Sequence, residues 1–547
     1  MPEDTTQDSP WWKGAVIYQI YPRSFLDTDA DGIGDLAGIV KGLDHVAALG
    51  VDAVWLSPFF TSPMKDYGYD VADYCDVDPM FGSLADFDRL VARAHTLGLK
   101  VIIDQVYSHT SDQHAWFEES RADRTNPKAD WYVWADPKPD GSPPNNWQAV
   151  FGGSSWEWDA RRQQYYLHNF LVSQPDLNLH NLEVQDALLE TARFWLDRGV
   201  DGFRLDAINF GMHDQQLRDN PPSGIAMENV TRPFDMQDHI YNMSQPGVPA
   251  FLSRLRSVLD TYGERFTVAE VVGANSINEM KSFTEGETHL SSAYSFDFLY
   301  ATTLSPGRIK RSLQEWSGRP GEGWPSWAFS NHDAPRAVSR WADESQRKQA
   351  ADTLMLLLLS LRGNAFIYQG EELGLPQADV PFEHLKDPEA IANWPRTLGR
   401  DGARTPMPWR SGASNSGFSE AVQPWLPVDP RHDLLAVDQQ TNVSGSSLSV
   451  ARALIAIRKS SDALRLGEME FLDTPDGVVA YKRVHGDAVM ICVFNLSERP
   501  VSYLPVQAAD LEFVVDQTGA AEPGAVIPET LSPWTGYWAT LKDHSAG

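Results

Sequence analysis

The sequence predicts an α/β protein built on a (β/α)8 barrel, with a small domain inserted after the third strand and an all-β domain at the C-terminus. The first observation is a repeat. Leu49-Gly50-Val51-Asp52-Ala53-Val54-Trp55-Leu56 is echoed by Leu97-Gly98-Leu99-Lys100-Val101-Ile102-Ile103-Asp104, and again by Arg198-Gly199-Val200-Asp201-Gly202-Phe203-Arg204-Leu205-Asp206. Each copy is a helix end, a glycine that ends it, and a buried strand, as in helices crossing back over a parallel sheet. The second is the number of β-rich runs, eight, with no glycine-rich dinucleotide turn to favour a doubly wound sheet. The third is a change of pattern: after a last helix at Ser447 to Ser460 the chain turns to short strands alone.

The elements follow in order. Val16 to Pro22 is the first strand, stopped by Pro22. The first two repeat copies give the second and third strands. The helix before the third starts at Ser83, with Asp86 three residues on, and carries Leu84, Phe87, Leu90, Val91, Ala94 and Leu97 on one face. The last copy is the fourth strand. Phe266 to Val271 is the fifth, a weak run at Ser295-Phe296 the sixth, Trp327 to Asp333 the seventh and Asn364 to Tyr368 the eighth. About seventy residues lie between the third strand and the next helix, too many for a βα loop. Residues 105–175 therefore read as the inserted domain, leaving 1–104 and 176–463 for the barrel. A second excursion runs from about 370 to 440. Val478 to Tyr481, Ala488 to Phe494 and Val501 to Leu504 place an all-β domain at 464–547.

Composition narrows the partners. The net charge is −30 with no basic block, which argues against nucleic acid and anionic membranes and favours a neutral substrate. Cys75 and Cys492 are far apart in apolar contexts, so two buried thiols are expected rather than a disulfide. The stretch Met1 to Pro10 is acidic and polar, and the longest apolar run, Leu354 to Leu361, is too short for a membrane span. A cytoplasmic protein is expected, a monomer or homodimer, with no membrane or nucleic-acid partner.

One acidic loop stands out. Asp27, Asp29 and Asp31 stand at alternate positions, followed by Gly32, Gly34 and Asp35, in a stretch whose second half departs from an EF-hand. Their carboxylates, with the Ile33 carbonyl, suit a lone hard cation; carboxylates this dense repel one another without one.

Function in a barrel sits at the C-terminal strand ends. Those ends carry Asp104 with His109, Arg204 with Asp206, Glu270, and Asn331-His332-Asp333. Arg204 and Asp206 share one side of their strand, Phe203 and Leu205 the other. A structural ion pair is the bland reading of Arg204 and Asp206. Three carboxylates (Asp206, Glu270 and Asp333), two histidines and an arginine converging on one mouth favour chemistry instead. No His-x-x-x-His pair or cysteine cluster offers a zinc site, and no G-x-S-x-G elbow is present. Paired carboxylates beside many aromatics point to glycoside chemistry, with carboxyl groups roughly 5–5.5 Å apart in a retaining enzyme. Asp206 would attack the anomeric carbon, its charge held by Arg204. Glu270, with no cation in its own strand, would carry the raised pKa and protonate the leaving oxygen.

These residues resemble a known family. The blocks Asp104 to His109, Gly202 to Asn209, Val268 to Val271 and Phe329 to Asp333 are similar to those of glycoside hydrolase family 13, the α-amylase family. Gln174 to Asn178, Asp66-Tyr67-Gly68-Tyr69-Asp70 and Gly399 to Met407 resemble marks of its α-glucosidase/oligo-1,6-glucosidase branch. The resemblance implies a retaining, exo-acting enzyme with Asp206 as nucleophile, Glu270 as acid/base and Asp333 fixing ring hydroxyls. It implies that His109 and His332 bind the same glucosyl ring, that Asp66 and Arg400 clamp its non-reducing end, and that Tyr69, Phe151 and Phe170 stack on it or gate it. The Asp27 loop matches the branch's structural calcium or magnesium loop; no organic cofactor is implied. Ala207 follows the nucleophile, where α-1,6-acting members tend to carry Val, so α-1,4 maltose-like substrates are expected. Short oligosaccharides, aryl or alkyl α-glucosides and hydroxyl acceptors are the expected partners, with transglucosylation beside hydrolysis. The Arg-Leu-Asp-Arg-Asp loop of sucrose isomerases is not seen. Two rivals remain: trehalose-6-phosphate hydrolysis, which needs a cation at the leaving-group site, and the catalytically silent ectodomains of transporter heavy chains.

Overall fold

A computed structural model of the chain describes residues 9–541, apart from 274, 287, 317–322, 397–398, 506–510 and 521–525. Most of the acidic N-terminal stretch and the last residues of the range expected to reach 547 lie outside the described residues.

Eight parallel strands are β1 Val16–Ile20, β2 Ala53–Leu56, β3 Lys100–Val106, β4 Gly202–Asp206, β5 Phe266–Val271, β6 Ser292–Ser295, β7 Ser326–Ala328 and β8 Asn364–Tyr368. Their order is β6-β5-β4-β3-β2-β1-β8-β7. A parallel bridge from Ala293 to Pro325 brings the two edges together, so the barrel is nearly closed. The longer helices are α1 Leu36–Leu49, α2 Leu84–Thr96, α3 Leu182–Asp197, α4 Val248–Asp260, α5 Ser276–Thr284, α6 Pro306–Gln314, α7 Arg347–Leu358 and α8 Ser447–Ser460. Local signals set their ends. Ser83 and Asp86 form a reciprocal capping box on α2. Gly50 and Gly199 take φ of 87° and 90°, turns an L side chain would strain.

The pleat sorts side chains into two cores. Val16, Val54, Phe203 and Leu205 face outward and pack with Leu43, Trp195 and Leu357 of the helices. Ile17, Ala53, Trp55, Ile102, Val268 and Phe366 fill the barrel interior. Every residue of β4 and β5 is buried, so Arg204, Asp206 and Glu270, on the inward parity, must find partners inside.

Between β3 and α3 the chain forms its own antiparallel sheet, in the order Trp134–Ala135, Gln164–Leu167, Trp156–Asp159. The His109–Asp176 bridge ties the two ends of this excursion. The C-terminal sheet is antiparallel, in the order Glu468–Phe471, Val478–His485, Ala488–Asn495, Thr535–Leu541, Leu511–Asp516. A separate pair joins Val501–Ser502 to Thr530–Leu531. That strand is shorter than the expected Val501 to Leu504. The sixth strand begins earlier than expected, at Ser292, and the seventh stops at Ala328. Asn331 explains why residues to Asp333 leave the seventh: its side-chain oxygen accepts from the N–H groups of Asp333 and Ala334, at 2.9 and 2.8 Å, and turns the chain. No helix among the described residues is long and apolar enough to cross a membrane.

Candidate active site

The floor of the barrel mouth is built on one cation. Arg204 is fully buried. Its Nη1 donates to Asp104 Oδ1 and to Asp206 Oδ1, both at 2.6 Å. Its Nη2 contacts Glu270 Oε1, and its guanidinium lies 5.1 Å from the Trp55 ring centroid. Tyr294 OH accepts from Arg204 Nε and Nη2 at 3.1 and 3.0 Å and donates to Glu270 Oε1 at 2.8 Å. Ala207 N–H donates to Glu270 Oε2 at 3.0 Å.

Three carboxylates therefore share one guanidinium. Burial pushes Asp104, Asp206 and Glu270 each up to about 7, with Arg204 opposing. The raised Glu270 is as expected; the correction is to Asp206, which Arg204 was expected to hold low and which is raised as well. Adjacent parallel strands put the inward residues of β3, β4 and β5 within one side chain's reach, so the cation is common to all. Desolvation then outweighs its third share in each.

Asp333 is the contrast. Arg404 Nη2 lies 2.7 Å and Arg400 Nη1 3.4 Å from its Oδ1, and His332 Nε2 lies 3.1 Å from its Oδ2. Burial would raise its pKa, but Arg404 and Arg400 hold it well below the usual carboxylate range. His332 is itself pushed far down by burial.

One end of the site is closed by a charged cluster. Arg400 Nη2 donates to Asp66 Oδ1 at 2.9 Å and to Asp387 Oδ1 at 2.8 Å. Gln174 Nε2 reaches Asp66 Oδ2 and His109 Nε2, each at 3.1 Å. Burial pushes Asp66 up to about 6, with Arg400 opposing, and His109 down to about 4. The cavity lies between this cluster and solvent and opens to the surface. At its mouth Arg232, on the chain after β4, pairs with Glu389, on the excursion after β8, at 2.8 Å.

Asp66, Tyr69, His109, Phe151, Phe170, Asp206, Glu270, Asp333 and Arg400 all line this cavity. His332, expected to bind the ring, and Arg204, expected to hold the Asp206 charge, lie one layer deeper with no exposed surface. His332 is covered by Tyr69, whose ring stacks on it at 5.4 Å and whose hydroxyl meets its Nε2. In the acidic loop, Asp27, Asp29 and Asp35 each bring an oxygen within 4.8 Å of the others. Asp31 stands outside that trio, its Oδ1 accepting from Ile33 N–H at 2.7 Å. The trio's hard oxygen donors suit a hard divalent cation.

Sequence reasoning missed Tyr294, Asp387, Arg232 and Glu389. Arg404 lay inside a quoted motif, but nothing in its spacing joined it to Asp333. Asp387 and Glu389 lie on the excursion after β8, whose return over the mouth depends on contacts such as Arg400 N–H to Asp387 Oδ2, at 2.7 Å.

A family model described as "Alpha amylase, catalytic domain" matches residues 19–467. A probable α-glucosidase of Rhizobium meliloti (strain 1021) is 53% identical over 98% of each chain. An oligo-1,6-glucosidase of Heyndrickxia coagulans is 38% identical over 90% of this chain and 93% of its own. Among solved structures, an α-glucosyl transfer enzyme, XgtA, superimposes with a TM-score of 0.92 at 50% identity, covering 98% of this chain and 100% of its own.

Proposed function

The chain belongs to the α-amylase family of glycoside hydrolases, in the α-glucosidase/oligo-1,6-glucosidase branch, and on that premise we propose that it is an exo-acting, retaining α-glucosidase of α-1,4 preference. The observation that supports the exo reading is the bonded end: Arg400 ties Asp66 to Asp387 across one side of the pocket. A pocket blocked on one side accepts only the terminal unit of a chain.

Each residue has a step. Asp206, ionised, attacks C1 as Glu270, protonated, gives its proton to the glycosidic oxygen; a covalent β-glucosyl ester results. Water then enters, Glu270 removes its proton, and α-glucose leaves. Asp333 stays ionised through the working pH range because two arginines surround it, so it can grip ring hydroxyls as an anion. His109, kept neutral by burial, can bind a further hydroxyl. Arg204 and His332 act from below, by holding the dyad and Tyr69.

The α-1,4 preference is supported by Ala207, which lines the cavity with φ of 35°. A β-branched residue is strained in that backbone region, so the small side chain and the left-handed turn agree. A second sugar's hydroxyl can replace water at the ester, giving transglucosylation. The rival phosphorylated substrate needs a spare cation at the mouth. Arg232 is there, but Glu389 at 2.8 Å and Asp235 at 3.3 Å already take its charge. Asp27, Asp29 and Asp35, with the Ile33 carbonyl, would hold a structural calcium or magnesium ion remote from the chemistry.

Proton NMR of maltose cleavage tests the reading. α-Glucose is the expected first product; initial β-glucose would refute retention. Maltose should be turned over faster than isomaltose, sucrose or trehalose 6-phosphate, and Asp206→Ala should lose at least about 10³-fold in kcat. Turnover of trehalose 6-phosphate alone would overturn the substrate assignment.

A further inference from the structure

Tyr294, on β6, is 1% exposed and touches both the shared cation and one of the two acids. Its oxygen accepts from Arg204 Nε and Nη2, at 3.1 and 3.0 Å. Those two bonds occupy both lone pairs of the phenol. Among the described residues its single hydrogen has one acceptor in reach, Glu270 Oε1 at 2.8 Å. The two oxygens of Glu270 are therefore unequal. Oε1 faces the phenol hydrogen and the Arg204 guanidinium. Oε2 accepts one neutral N–H, that of Ala207 at 3.0 Å, and keeps a second position open.

We propose that Tyr294 is a positioning residue for the acid/base: forced by Arg204 to donate, it keeps Oε1 bare and sets the transferable proton on Oε2. The inference rests on Glu270 being the acid. The proton leaves Oε2 for the glycosidic oxygen as the C1–O bond breaks, the bond's electron pair staying on that oxygen. The new carboxylate keeps its charge on Oε1, against the phenol and the guanidinium. In the second half, water returns a proton to Oε2. Burial holds the Tyr294 pKa well above the ordinary phenol range, so the donor persists at any working pH. The other groups that face Glu270 are Asp206 and Arg204 from β4, Asp333 from the loop after β7, and Tyr300; Asp104 acts from β3 through Arg204.

Tyr294→Phe tests this through the pH profile of kcat/KM. A hydrogen bond favours ionised Glu270 over its neutral form, so removing it raises the acid's pKa. The alkaline limb should move up by about one pH unit. On maltose, whose leaving group needs the proton, kcat/KM at the plateau should fall about tenfold. On 4-nitrophenyl α-glucoside, whose leaving group departs unaided, the fall should be smaller. Thermal unfolding measured alongside shows that the variant is folded. An unmoved alkaline limb, with both substrates slowed equally, would overturn the proposal. Glu270→Gln separates the two readings. If it leaves maltose turnover intact, Glu270 is not the acid. If it loses maltose while sparing the aryl substrate, and Tyr294→Phe keeps the wild-type limb, the Tyr294 inference alone fails.

Discussion

A side chain's protonation here is decided by how many neighbours share its counter-charge. Period-two alternation was enough to place Arg204 and Asp206 together inside the barrel, and to place Glu270 on the next strand. It could not reveal that Asp104 would lean on the same guanidinium, because that is a property of three strands in register: Asp104 lies opposite Arg204, and Arg204 opposite Val268. The consequence is measurable. Asp206 has a folded pKa of about 7, raised by burial, against about 4 unfolded. The folded state thus holds the extra proton between those values, and stability falls as pH rises through that window. Asn is neutral at every pH and removes this penalty. Arg204 meanwhile keeps Asp104 and Glu270. Asp206→Asn should therefore be more stable than the parent at pH 8, on the order of 2 kcal/mol or roughly 2 °C in Tm for a chain this long. The gain should vanish near pH 4. A lower Tm at pH 8 would mean that the lost bond to Arg204 outweighs the relieved burial.

Short elements announce themselves by local chemistry; the contacts that fix them often do not. The caps of α2 and the glycines ending α1 and α3 are readable from the sequence alone, as is the acidic loop before α1. The loop's fastening is not. Asp27 Oδ1 accepts from the N–H groups of Asp29 and Ala30, and Oδ2 from Gly32 N–H and Ser419 Oγ, the last nearly 400 residues away in sequence, at 2.5 Å. Those bonds hold the Asp27 pKa below its ordinary value in spite of burial. Asp35 caps α1 through Gly38 N–H at 2.6 Å. The loop thus ties the start of the first barrel helix to the 417–424 segment, and three carboxylates at close quarters strain that tie. A bound divalent ion would relieve the strain. Exhaustive chelation should lower Tm by several degrees, calcium or magnesium should restore it, and Asp29→Ala should abolish the response. Identical melting curves with and without chelator would remove the metal from the account.

At the scale of the molecule, the β-rich C-terminal sequence predicts a sheet but not where it docks. One apolar cluster runs from Val16 and Leu205 of the barrel through Leu354 and Leu358 of α7 and Leu454 of α8. It continues to Tyr481, Phe494 and Trp538 of the C-terminal sheet. Polar bonds cross the same seam: Thr353 Oγ1 donates to Trp534 O, and Arg483 Nη1 to Ser360 O, each at 2.6 Å. Arg458, fully buried on α8, donates to Leu359 O and Gly363 O at 2.6 Å and to Gly14 O at 3.1 Å. It joins the turn before β1, the end of α7 and the turn before β8. Burial lowers its pKa to about 9, and carbonyls rather than a carboxylate satisfy it. A shared core of this kind couples the two parts, so barrel and C-terminal sheet should unfold in one calorimetric transition, with activity and tryptophan fluorescence lost together. Arg458→Met leaves those buried carbonyls without a donor, at a cost of about 3 kcal/mol, or roughly 3 °C. Both probes should shift by the same amount. If the variant instead melted in two steps, with turnover surviving the first, the C-terminal sheet would be a separate folding unit and Arg458 a local fastening.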